Sequence, residues 1–167
     1  MAKKTEKVLL SLEEQAALPR AGLLRRLAAL LYDMFLVAAI WICLGFVLQL
    51  LFGETTELVD GELQTNPVLS SLYFLMMISS AAYFYIWFWR RTGQTLGMIA
   101  WRIKVIGTNN QPPDLRAALI RFTLAWPAFL LLGLGYLWCL IDRDGDALHE
   151  KLSSTKTILL PKHARPF

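Results

Sequence analysis

The chain has little charge, and the charge it has is kept out of long stretches. Among its 167 residues 18% are Asp, Glu, Lys or Arg and 56% are hydrophobic, where soluble domains run at about 45–50% apolar. Val68 to Trp89 holds no charged residue, and Leu27 to Phe52 holds one, Asp33. What remains between such runs is too little for a separate soluble catalytic domain. Cysteine is also scarce. Cys43 and Cys139 both lie in apolar runs and neither is part of a CxxC, which excludes a disulfide framework and a zinc site and leaves both as small buried hydrophobes. GxSxG, HExxH and a Cys–His arrangement are all missing, so no enzyme, cofactor or metal is expected.

What is present describes a membrane protein. About 20 apolar residues at 1.5 Å each cross a hydrocarbon core of about 30 Å. Residues 27–52 and 68–89 meet that length as full spans. The net charge of +4 does not read as nucleic-acid binding, because the cations flank the apolar runs, as topology signals and headgroup contacts do. Lys3, Lys4, Lys7, Arg20, Arg25 and Arg26 precede the first span. Glu54, Glu57, Asp60 and Glu62 follow it with no Lys or Arg among them, and Arg90 and Arg91 close the second. The positive-inside rule therefore puts residues 53–67 outside and both termini in the cytoplasm. Residues 1–19 read as a cytoplasmic tail rather than a signal peptide, because the apolar patch at Val8–Leu12 is too short.

A third apolar block, residues 115–141, carries Arg116, Arg121 and Pro127. It is too short for two crossings, and the cations after it favour the inside. The expectation is a half-length helix, a bend near Pro127 and a return helix. Asp114 is placed to cap its start. Arg102–Ile106 and Thr155–Leu160 alternate and are rich in β-branched residues, which predicts a short two-stranded ribbon on the cytoplasmic side. The expected fold is thus an all-α membrane protein: a small polytopic helical bundle of two full spans and a broken third block, with that ribbon added. The domain plan is a tail (1–19), a membrane domain (20–160) and a C-terminal tail (161–167).

Several side chains stand out, each with two readings. Arg26 and Asp33 lie within about 20° of one helix face and about 10 Å apart along the axis. Asp33, an acid inside a span, needs a partner among Arg26, Arg116 and Arg121, either as a structural ion network or as a proton or cation site. The aromatics Tyr83 to Trp89 form an interfacial belt or a ligand-stacking surface. Asp142, Asp144 and Asp146, with His149 and Glu150, are a solvated capping turn or a metal cluster.

An ordered set of residues resembles the RDD family of bacterial membrane proteins, named for one arginine and two aspartates. It comprises Ala21-Gly22, Arg26, Ala29 and Asp33, then Gly93-Gln94-Thr95-Leu96-Gly97, Arg102-Ile103-Lys104-Val105 and Leu119-Ile120-Arg121. Leu140-Ile141-Asp142-Arg143, Leu148-His149-Glu150-Lys151-Leu152 and Thr155 complete it. The resemblance puts the family arginine on Arg26 and the first aspartate on Asp33. The second falls at His149-Glu150, where Glu replaces Asp, or at Asp142. It implies a bacterial inner-membrane location, and some members have been linked to cation–proton antiport. The candidate network is therefore Arg26, Asp33, Arg121, Asp142, His149 and Glu150. Two functions follow: transport of protons, cations or small solutes, or a non-transport scaffold, assembly factor or partner subunit. Either calls for the lipid bilayer, and for further copies or other membrane proteins, as partners.

Overall fold

The computed structural model describes residues 10–131, 133–162 and 164. Residues 1–9 of the expected N-terminal tail and His163 and Arg165–Phe167 of the C-terminal one lie outside them. The chain divides into two units, residues 1–33 with 85–167, and residues 34–84.

A five-residue helix, α1 (Leu12–Ala16), opens the described chain behind a capping box in which Ser11 and Glu14 each accept from the other's backbone N–H. The long helix α2 (Leu23–Phe52) follows. It starts earlier than the apolar run, so Arg25 and Arg26 lie inside it. Gly53, at φ +86°, ends it in the left-handed conformation that glycine takes without strain. Residues 53–67 hold a hairpin of β1 (Thr56–Val59) and β2 (Glu62–Thr65), paired antiparallel. Its two-residue turn is Asp60-Gly61, both at positive φ, the type I′ geometry that fits strand twist. Asn66 then caps α3 (Pro67–Arg91) by accepting from the N–H groups of Val68 and Leu69. Helices α2 and α3 are the two that are long and apolar enough to cross a membrane among the described residues.

Next come α4 (Leu96–Ala100), β3 (Ile103–Gly107) and α5 (Leu115–Leu130), the last capped by Asp114, which accepts from Ala117 N at 2.7 Å. The short helices α6 (Leu134–Leu137) and α7 (Leu148–Leu152) follow, with a 3-10 turn over Trp138–Leu140 between them. Strand β4 (Thr155–Leu159) closes the series. It pairs antiparallel with β3, Val105 opposite Thr157 and Lys104 opposite Ile158. Its other edge takes in the chain entering α2: Ala21 N donates to Thr157 O and Leu159 N to Pro19 O, both at 2.9 Å. Ile103, Val105, Ile106 and Ile158 are buried at this ribbon, and Leu10 and Leu18 pack against it. Within the segment read as an N-terminal tail, Leu10 and Leu18 thus contribute to this packing.

Three expectations change. The fold is mostly helical but not all-α, because two β-ribbons are present and the one over residues 56–65 was unforeseen. The third block is broken, as expected, but a few residues past Pro127 rather than at it. Helix α5 runs through that proline and ends at Leu130; the chain turns beyond it, with Gly133 at φ +76°. A proline ring removes one helical hydrogen bond but does not oblige the helix to stop; the helix ends at Leu130 with Leu131 as its C-cap, and Gly133 is the N-cap of α6. The cysteines are not both buried, since Cys43 is exposed and Cys139 half-buried.

Candidate functional site

The two most deeply buried acids of the unit formed by residues 1–33 and 85–167 have separate partners. The first is Glu150, 0% exposed, in the first turn of α7. Its Oε2 accepts from Arg26 Nη1 at 2.7 Å and from Ala147 N at 3.0 Å. Its Oε1 accepts from Arg121 Nη2 at 3.1 Å and from the Thr157 hydroxyl. The Ala147 bond is the glutamate half of a capping box; alanine has no oxygen to supply the other half. Arg26 also donates from Nε to Ala21 O and from Nη2 to Gly145 O. Arg121 donates to Thr155 and Thr157, and its guanidinium lies 5.2 Å over the Trp89 ring. Helices α2, α5 and α7 and strand β4 are thereby tied to one carboxylate.

The electrostatics follow from that geometry. Burial alone would raise the Glu150 pKa, but the guanidiniums of Arg121 and Arg26 outweigh it and hold the carboxyl down to about 2. His149, beside it, is pushed down to about 3 by burial and by Arg121, so its ring is neutral at pH 7. That ring packs on Tyr136 with centroids 4.7 Å apart. The buried cluster therefore holds two guanidiniums, one carboxylate and a neutral imidazole.

The second acid is Asp33, 1% exposed on α2. It forms no ion pair among the described residues, although an arginine partner was expected. Its Oδ2 accepts from the Thr95 hydroxyl at 2.5 Å and its Oδ1 from Gly97 N at 2.9 Å. Thr95 is also the cap of α4, accepting from Met98 N. The Gly93-Gln94-Thr95-Leu96-Gly97 segment thus has a task the sequence did not disclose, receiving the Asp33 carboxylate. Gly93 turns the chain at φ +76° and Gln94 Nε2 donates to Ile103 O at 2.8 Å. Gly97 leaves the room: a Cβ there would sit 2.3 Å from Ala29 O and 2.9 Å from Asp33 Oδ1.

Asp142 stands outside the arginine cluster. Its carboxylate pairs with Lys151 and accepts from the backbone of Asp144 and Asp146. Asp146 forms a two-point pair with Arg20, the nearer contact at 2.6 Å. The carboxylates of Asp142, Asp144 and Asp146 do approach within 4.8 Å of one another. Their charge is largely met by Arg20 and Lys151, as in a capped turn. Arg116 is exposed on α5. The aromatic run divides: Tyr83 and Trp87 are exposed, whereas Phe84 and Trp89 are core residues, and Tyr85 packs against Trp89 and Phe122. A uniform belt is not what the helix builds, because a helix turns successive aromatics to different sides.

Two long apolar helices and a buried ion cluster tied to the start of one of them describe a membrane protein of small helical type. The chain belongs to the RDD family, whose model matches residues 20–154. No curated protein and no solved structure matches it. The match takes in Arg26, Asp33, Thr95, Gly97, Arg121 and Glu150. It stops short of Thr155 and Thr157, the two hydroxyl partners of Arg121.

Proposed function

We propose that this chain is a non-catalytic scaffold or partner subunit of the bacterial inner membrane, crossing it more than once with both termini in the cytoplasm. Its buried ions hold a cytoplasmic-face unit together rather than move a solute. The observation that carries this reading is the saturation of Glu150. An ionised carboxylate offers about four lone-pair sites, and here each oxygen already accepts from two donors. With its pKa held at about 2, it neither takes up a proton near neutrality nor has a site left for a passing cation. The apolar helices add no relay, since residues 34–52 and 67–89 carry no charge. Partners are then membrane proteins, further copies of this chain among them, that pack on the exposed helix faces. Reporter fusions at residue 60 and at the C-terminus test the topology; a C-terminal reporter active outside would overturn it.

A second reading, transport of protons, cations or small solutes, draws on Asp33. This acid sits on a candidate membrane-crossing helix and accepts two hydrogen bonds where four are possible. Proton and cation flux through purified protein in liposomes separates the two. The scaffold reading expects flux equal to empty liposomes. Flux that vanishes in Asp33→Asn while the protein stays folded would overturn it.

A further inference from the structure

The hairpin of residues 56–65 has two unlike faces. Strand alternation and the pairing register put Thr56, Leu58, Leu63 and Thr65 on one face, and Glu57, Val59, Glu62 and Gln64 on the other. Leu58 stands directly opposite Leu63, and the two are 70% and 75% exposed. The hydroxyls of Thr56 and Thr65, 3.1 Å apart, close the same face. A two-stranded hairpin alone in water is marginal, and every residue from Glu57 to Thr65 is exposed.

The hairpin is also fixed in place. Asn66 N donates to Thr55 O at 2.8 Å, and the Tyr73 hydroxyl donates to Gly53 O at 2.7 Å. Its base is thus pinned to the end of α2 and the start of α3, where Leu50, Leu51, Phe52 and Val68 are themselves exposed. The exposed leucine pair is thus joined through a fixed base to two exposed apolar helix ends. The opposite face and the turn carry Glu57, Glu62 and Asp60, with Glu54 just before them and no Lys or Arg from residue 53 to 67. Acids in that number are repelled by anionic headgroups.

We propose that the Leu58–Leu63 face of this hairpin lies in the headgroup–acyl boundary of the leaflet where α2 ends and α3 begins, with a zwitterionic lipid surface as its partner. The acidic face stays in water. The inference is independent of whether the protein scaffolds or transports.

Single spin labels on the full chain test it. With Cys43→Ser and Cys139→Ser as background, Leu58→Cys, Leu63→Cys, Glu57→Cys and Gln64→Cys are labelled and placed in phosphatidylcholine liposomes. Accessibility to lipid-soluble oxygen is compared with that to a water-soluble nickel chelate. The oxygen-to-nickel ratio should be severalfold higher at 58 and 63 than at 57 and 64, and the difference should shrink when phosphatidylglycerol is added. Equal, water-like values at all four sites would overturn the proposal. So would protection of 58 and 63 from both reagents, which with spin–spin broadening would assign the face to a second copy. All four sites are exposed, so the labels do not threaten the fold.

Discussion

The unit of residues 1–33 and 85–167 and the unit of residues 34–84 are stabilised in opposite ways. The first buries polar groups and ties them to one another: Glu150, Arg26, Arg121, Asp33, Thr95, Thr155 and Thr157 are all buried and each forms at least one hydrogen bond, although Arg121 Nε and His149 Nδ1 have no hydrogen-bond partner among the described residues. The second buries few side chains. The strongest apolar stretches of α2 and α3 have about 11% of their residues buried within the protein. The side-chain bonds that link α2 and its end to α3 include the Trp41 indole to Met77 O and the Tyr73 hydroxyl to Leu48 O and Gly53 O. A helix in hydrocarbon satisfies its own backbone and needs no apolar burial against protein. A buried ion has no such latitude, because removing one partner leaves the other charged and unpaired. Sensitivity to substitution should therefore differ sharply between the units.

The largest effect is expected at Glu150. Glu150→Ala leaves two buried guanidiniums without their carboxylate and should cost about 3–5 kcal/mol, read as a large fall in the thermal midpoint in detergent. A loss below about 1 kcal/mol would mean that the cluster does not hold the unit together. Acid should have the same target. His149 is depressed from 6.5 to about 3 and Glu150 from 4.5 to about 2. In each case the unfolded chain binds the proton first, so the stability is present above the unfolded value and is lost as pH falls. Melting midpoints should begin to drop below about pH 6.5 and fall more steeply below about 4.5. His149→Phe should remove the first phase and keep the second; a profile unchanged by that substitution would exclude His149 as its source.

Gly97→Ala comes next. The added methyl meets the backbone of α2 as well as the Asp33 carboxylate, and overpacking of this kind costs about 1–3 kcal/mol. Equilibrium unfolding of the variant measures it, and a neutral result would show that α4 can shift away freely. In the other unit, Gly61→Ala strains a turn at φ +84° with open space around it. It should cost about 1 kcal/mol, read locally as faster amide exchange in the hairpin with little change in the global midpoint. The smallest effect is expected for Ile42→Leu or Phe46→Leu on the exposed side of α2, within about 0.5 kcal/mol. A larger loss there would reveal a protein partner on that face.

The sequence made some of this plain and hid the rest for physical reasons. The long helices were legible because hydrocarbon length demands uninterrupted apolar runs. The β3–β4 ribbon was legible because alternating β-branched residues have few other uses; Arg102, at φ +54°, falls just outside the strand. The first hairpin is legible in Asp60-Gly61 between alternating residues, but its strands are short and rich in acids, which are poor strand formers. The exact point of the break in the third block was hidden because Pro127 is conspicuous, whereas α5 carries on through it to Leu130. The partners of Asp33 were out of reach, since Thr95 and Gly97 lie 62 and 64 positions away. The choice between Asp142 and Glu150 also rested on the folded chain, which gives Glu150 to the arginines and Asp142 to Lys151.

The Glu150 cluster also sets an order of events in time. Arg26 precedes its carboxylate by 124 positions, so at roughly 5–20 residues per second it waits about 6–25 s for a counter-ion during synthesis. Thr157 arrives later still, after both apolar helices have been made. While it waits, an unpaired guanidinium can snorkel to the headgroup region and hold the start of α2 at the membrane surface as the rest of the chain inserts. Strand β4, made after α7, then closes the cluster through Thr157. A nascent chain halted before residue 150 would hold both long apolar helices and both arginines but not the carboxylate that joins them.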